Sequence, residues 1–182
     1  MPMSRTRPLR TVLLLALCAA PMAMACSSSD SESARPADSS TTGIVREGDA
    51  SDALLKTYLQ KKPRDWAWAG GQFDTPDASA PLAADTPLTF SWHADPADFA
   101  EGGAPGELLM THLLSFSTAR DSNLLQVFTS LSEYTPDAAA WQKLIDAGEP
   151  ITLRLTTGTF IGADLPEDGG PFIGQSLTLT IE

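Results

Sequence analysis

The sequence predicts a mainly β protein: a small antiparallel β-sandwich with one short helix between late strands, reached after an export signal and a polar tether. Three observations carry this. Apolar residues alternate with polar ones in several short segments, as where Leu88, Phe90 and Trp92 face one way and Thr89 and Ser91 the other. Clusters of Gly, Pro and Asp separate these segments, without the strand–helix alternation of a parallel nucleotide-binding sheet. In the late half of the chain, helical spacing appears once, between Thr135 and Gly148.

The N-terminus reads as an address. Arg5, Arg7 and Arg10 form a basic region without acids, and residues 11–20 give an apolar run too short to span a bilayer permanently. Ala23-Met24-Ala25-Cys26 then resembles the lipobox of bacterial lipoproteins, with Ala23 standing where Leu is most usual. The resemblance implies a signal peptide over residues 1–25, lipidation at Cys26, and outer-membrane sorting because Ser27, not Asp, follows. An ordinary secretory signal cut near Ala25 would leave Cys26 unmodified, an odd free cysteine in an exported protein. Each buried acyl methylene contributes about 0.8 kcal/mol, and stable anchoring takes more than one chain.

Residues 26–51 are rich in Ser, Asp, Glu and Thr, which predicts a disordered tether holding the folded part off the membrane. The sandwich is expected over residues 52–182. It opens with a short helix carrying Leu55, Tyr58 and Leu59, capped by Ser51 and stopped by Pro63. A first strand follows at residues 65–69, with Trp66 and Trp68 on one face. Further strands are predicted at residues 87–92, 109–117, 124–130, 151–156 and 177–181. The late helix takes Thr135 as its cap, Pro136 as its first residue and Gly148 as its stop, and buries Trp141.

Leu88-Thr89-Phe90-Ser91-Trp92, the long central strand, Ser132-Glu133-Tyr134-Thr135-Pro136, Leu144, Gly148 and Ile151-Thr152-Leu153-Arg154-Leu155 together resemble a fibronectin type III-like domain. That resemblance implies an immunoglobulin-like sandwich with Trp92 on its second strand. Ile151 stands near the place of the family's corner tyrosine, and a helix replaces its tight loop. Such modules on bacterial surface lipoproteins bind, space or display.

Charge narrows the function further. The 182 residues hold twelve basic and twenty-three acidic side chains, a net charge of −11. Beyond residue 25 nine basic residues face all twenty-three acids, giving −14. Such a surface disfavours nucleic acid and repels anionic lipid headgroups, so membrane attachment falls to the lipid anchor. With only Cys18 and Cys26, a disulfide scaffold and a cysteine zinc site are excluded.

Candidate chemistry is sparse. His112 lies between Met110 and Leu114 on an apolar strand face and reads as a core histidine bonded to the backbone. His93 pairs in sequence with Asp95, but Ser115 and Ser117 sit in an ordinary strand and no Gly-x-Ser-x-Gly elbow occurs. The expectation is a protein that is not an enzyme: a binding or display module at the cell envelope, its partner an envelope protein or a glycan. The alternative is a calcium-dependent carbohydrate-binding module. It would stack sugars on Trp66 and Trp68 and hold calcium with Asp164, Glu167 and Asp168, or with Asp95, Asp98 and Glu101.

Overall fold

The computed structural model describes residues 43–66, 69–77, 81–94 and 108–182. These residues are mainly β, with two sheets and two short helices. Along the chain run β1 (Ile44–Glu47), α1 (Asp52–Leu59), β2 (Arg64–Asp65), β3 (Gln72–Thr75), β4 (Phe90–His93) and β5 (Leu108–Ser117). Then come β6 (Leu125–Thr129), β7 (Glu133–Tyr134), α2 (Ala138–Asp146), β8 (Ile151–Ile161) and β9 (Phe172–Leu179). The larger sheet has the order β1-β6-β5-β8-β9-β2, and the smaller one β3-β4-β7.

Strands β5 and β8 form the spine, paired antiparallel from Leu108 opposite Ile161 to Ser117 opposite Thr152. Alternation along them turns Leu114, Phe116, Leu153 and Leu155 toward the smaller sheet, where they meet Phe90, Trp92 and Tyr134 in one buried core. This is the arrangement of a β-sandwich. Helix α2 adds Trp141 and Leu144 to the same core. The indole Nε1 of Trp141 donates to the Ala84 carbonyl at 2.9 Å, so the buried ring has its polar atom satisfied.

A second core lies on the other face of the larger sheet. Leu113, Phe128 and Phe160 face away from the sandwich interior and are covered by Leu54, Leu55 and Tyr58 of α1, with Ile44 and Leu165 beside them. Tyr58 meets Phe128 edge-on at 5.1 Å. It also lies so close to Gly158 that a Cβ there would stand 2.8 Å from its ring. Helix α1 covers one end of this face only. Toward the other end Ser115, Gln126, Thr152 and Arg154 occupy the same outward positions, with no covering element among the described residues.

Several expectations change. The sandwich is not wholly antiparallel: β1 pairs parallel with β6, and β2 parallel with β9. These two short strands take opposite edges of the larger sheet, and α1 lies between them in the chain, so their direction is not dictated by a hairpin. Nor does a disordered tether run to residue 51. Ile44 pairs with Gln126 and is buried, as is Ala50, because an edge strand needs only a short aliphatic stretch such as Ile44-Val45. Residues 26–42 lie outside the described residues.

Of the strand expected at residues 65–69, Asp65 falls in β2 while Trp66 and Ala69 lie outside any strand, and an unforeseen strand, β3, follows. Helix α2 is capped by Asp137, whose Oδ1 accepts from the Ala140 N–H at 2.7 Å. Thr135 instead shares a hydrogen bond with Thr89, Oγ1 to Oγ1 at 2.7 Å. Gly148 ends the helix as expected, with φ +60°.

Candidate functional site

The strand β9 is irregular where it matters most. Two of its residues, Gly174 and Gln175, stand opposite the single residue Leu155 of β8, a bulge that bends the strand and re-aims its side chains. Against this bulge lies the backbone of Gly70 and Gly71. A Cβ on Gly174 would fall 2.0 Å from the Gly70 oxygen, and one on Gly70 would fall 2.1 Å from the Ile173 oxygen. Glycine is therefore required at both positions by close backbone approach. Gln175 N–H donates to the Gly71 carbonyl at 3.0 Å, and Gln175 Oε1 accepts from Phe73 N–H at 2.7 Å. That second bond sets the sense of the amide, leaving its nitrogen as the donor end.

The neighbouring strand β2 brings up an indole. Arg64 N–H donates to Pro171 O at 3.0 Å, and its guanidinium carbon lies 5.1 Å from the centre of the Phe172 ring. The same guanidinium donates to the Glu167 carbonyl. Trp66 meets Phe172 edge-on, ring centres 5.1 Å apart. Phe172 is fully buried, so it is a fixed prop, while Trp66 keeps 40% of its surface exposed. An open cleft of about 510 Å³ results, lined by Trp66, Asp65, Gln72, Gln175, Gly174 and Ile173. It combines one apolar plate with amide and carboxylate groups.

Ile173 also borders a second hollow, of about 550 Å³, on the end of the larger sheet that α1 leaves open. Here Ser115, Ser117, Gln126, Thr152 and Arg154 project from β5, β6 and β8, and Lys62 stands at the rim after α1. Ser117 Oγ donates to the Thr152 carbonyl at 3.3 Å.

The cleft is anchored from within. His112 is buried, with Nδ1 3.0 Å from the Thr157 hydroxyl, and that hydroxyl donates to the Gly70 carbonyl at 2.9 Å. The histidine is thus a core residue as expected, but its partner is a side-chain hydroxyl and not the backbone. Burial lowers its pKa to about 4, which keeps the ring neutral. Its ring also meets Trp92 edge-on at 5.5 Å.

The other sequence candidates are placed as follows. His93 Nδ1 lies 2.7 Å from Asp74 Oδ1, and both side chains are exposed, at 62% and 49%. Asp74 is the extra residue where the β3–β4 register shifts, which brings it beside His93. Asp164 closes a tight turn with Ile161, and Glu167 and Asp168 lie in a 3-10 turn. They are not gathered as a calcium site: among the described residues no three His, Cys, Asp or Glu stand together in a way that could hold a metal ion. The spacing of acids in that loop reflects turn formation, not convergence on one point. Cys26, Trp68, Asp95, Asp98 and Glu101 lie outside the described residues.

Sequence reasoning passed over Gln72, Gln175, Lys62 and Arg154. Gly174-Gln175 within an apolar strand was a signal for the bulge, since an interior Gly marks close backbone approach. Arg154, the one charge at the outward positions of its strand between Thr152 and Thr156, was a signal for the second hollow. The chain matches no protein-family model, no curated protein and no solved structure.

Proposed function

We propose that this chain is a lipid-anchored protein of the cell envelope whose folded part is a non-catalytic binding module, and that the Trp66 cleft takes a carbohydrate. The exposed indole carries the reading. A Trp braced by Phe172 and left open beside Gln72, Gln175 and Asp65 presents a flat apolar plate with hydrogen-bonding groups at its margin. A pyranose ring offers the complementary pattern, apolar C–H bonds on its face and hydroxyls around its edge. Calcium is left out of this reading, because Asp164, Glu167 and Asp168 are not gathered with one another among the described residues.

An immunoglobulin-like, fibronectin type III-like sandwich is supported by the strand order. The run β9-β8-β5-β6 follows the G, F, C and C′ strands of that fold, and β3-β4-β7 follows A, B and E. Trp92 is buried on the strand in the place of B. A binding role, not a catalytic one, is supported by the setting of the His93–Asp74 pair, both of whose side chains stand open to water among the described residues.

The full-length chain, purified in detergent, is titrated with neutral oligosaccharides of four to six sugars while tryptophan emission is followed. Saturable quenching that Trp66→Ala abolishes, with the melting temperature kept, is the expected result. A panel of neutral and charged oligosaccharides that produces no change in either variant overturns the carbohydrate reading. For the anchor, cells fed an alkyne-tagged fatty acid should label the wild type and not Cys26→Ala; label on both variants overturns lipidation at that residue.

A further inference from the structure

The charge in the second hollow is out of keeping with the rest of the chain. Beyond residue 25 acids outnumber bases by twenty-three to nine, yet this groove is lined by two of the nine bases, Lys62 and Arg154, and by none of the acids among the described residues. Neither base makes an ion pair with a described residue. A guanidinium held on the face of a sheet and left without a counter-ion is a receptor for a planar anion, which it can bind through two parallel N–H donors.

The surrounding groups define the anion further. Ser115, Ser117 and Thr152 contribute hydroxyls and Gln126 an amide, all on the outward face of the sheet around Arg154. Hydroxyls and amides suit a ligand that itself carries many hydroxyls. The groove volume of about 550 Å³ is that of a small-ligand site. The groove also shares Ile173 with the Trp66 cleft, so the two hollows adjoin across the start of β9.

We propose that the groove binds the carboxylate of an acidic saccharide, with Arg154 and Lys62 as its anion receptor, so that the ligand of this protein is a polysaccharide containing uronic acid residues. This rests on the reading of the Trp66 cleft as a sugar site and extends it. One sugar stacks on Trp66 while a neighbouring one, across Ile173, presents its carboxylate to Arg154. Charge complementarity selects the occupant: a neutral glycan leaves both cations uncompensated, and the net negative charge of the chain repels anions that lack a specific seat.

The test uses the full-length chain in detergent and two probes, a uronic acid hexasaccharide and its carboxyl-reduced neutral counterpart, by titration calorimetry at low and high salt. The wild type should bind the acidic form at least about tenfold more tightly at low salt, as a charge-assisted hydrogen bond requires. The gap should narrow as salt rises. Arg154→Gln and Lys62→Gln, both at exposed positions, should reduce or abolish the gap while leaving affinity for the neutral form within about twofold. Trp66→Ala should weaken both forms by the same factor.

Equal binding of the two forms by the wild type, or an undiminished gap in Arg154→Gln and Lys62→Gln, overturns this inference and leaves the Trp66 reading standing. Arg154-dependent binding of the acidic form that Trp66→Ala does not weaken overturns the Trp66 reading and leaves the anion receptor. A hexaglutamate peptide bound as tightly through Arg154 overturns the saccharide as occupant. Binding of neither form overturns both.

Discussion

The Nδ1 atom of His112 lies 3.0 Å from the Oγ1 of Thr157, and the direction of that bond is determined by what Thr157 does next. A hydroxyl has one proton, and Thr157 gives it to the Gly70 carbonyl at 2.9 Å. Thr157 therefore accepts from His112, so the imidazole, kept neutral by burial, carries its proton on Nδ1. A line of two hydrogen bonds runs from the sandwich core to the glycine backbone behind the Trp66 cleft.

A pH dependence follows. Burial lowers the folded pKa of His112 to about 4, against an ordinary value of 6.5. Between those values the unfolded chain binds the extra proton and the folded chain does not, so stability falls as pH falls from about 6.5 toward 4. The full contribution is about 3 kcal/mol, lost almost entirely by pH 4 and fully present above pH 7. Urea unfolding at pH 7 and pH 4.5 should show a larger loss for the wild type than for His112→Asn. An equal loss in both would assign the acid sensitivity to the carboxylates instead.

Gly174 tests the other side of the same contact. A Cβ there falls 2.0 Å from the Gly70 oxygen, a clash with backbone that no rotamer relieves. Gly174→Ala should force the two segments apart, with a destabilisation of about 1–3 kcal/mol of the kind seen on overpacking. Because Gln175 N–H bonds to Gly71 O, the cleft wall should loosen together with it. Thermal melting reads the first effect, and a weaker response of Trp66 emission to saccharide reads the second.

Much of this fold was legible in residue pattern, and the exceptions share a cause. Phe116, Leu153 and Leu155 alternate with polar neighbours, so their strands and inward face could be read directly. Ser51 is a helix cap by local chemistry and caps α1 through the Leu54 N–H at 3.3 Å. By contrast, β1 and β2 exist because distant strands offer them an edge, and nothing within Ile44–Glu47 or Arg64–Asp65 announces a partner near Gln126 or Phe172. The site divides likewise. Trp66 was noticeable as an aromatic beside a glycine turn, whereas its prop Phe172 and its neighbour Gln175 lie more than one hundred positions along the chain and join it only through the β2–β9 pairing.

Trp141 separates packing from hydrogen bonding in the main core. Its indole Nε1 donates to Ala84 O, and Ala84 N–H in turn donates to Glu182 O at 2.9 Å, so one side chain helps hold the last residue of the chain. Trp141→Phe keeps most of the ring and loses the bond, for an expected cost of about 1 kcal/mol. Trp141→Ala should cost about 3–5 kcal/mol through the cavity it leaves. Chemical denaturation of the pair checks both figures, and equal costs would mean that the hydrogen bond, not the packing, dominates.

The first strand provides a test in which two adjacent residues should behave oppositely. Ile44 is 6% exposed and packs with Leu54, Leu55 and Phe128, while Val45, one position on, is 36% exposed. In a strand, neighbours point to opposite faces, so only the first is in the core. Ile44→Ala should therefore destabilise by about 2 kcal/mol or more, as large-to-small core changes do. Val45→Ala should stay within about 0.5 kcal/mol, the ordinary range for surface substitutions. In a solvated tether both changes would be neutral. Measured by urea unfolding, a clear cost for Ile44→Ala beside a silent Val45→Ala marks residues 44–47 as part of the folded sheet, and two silent variants would return them to the tether.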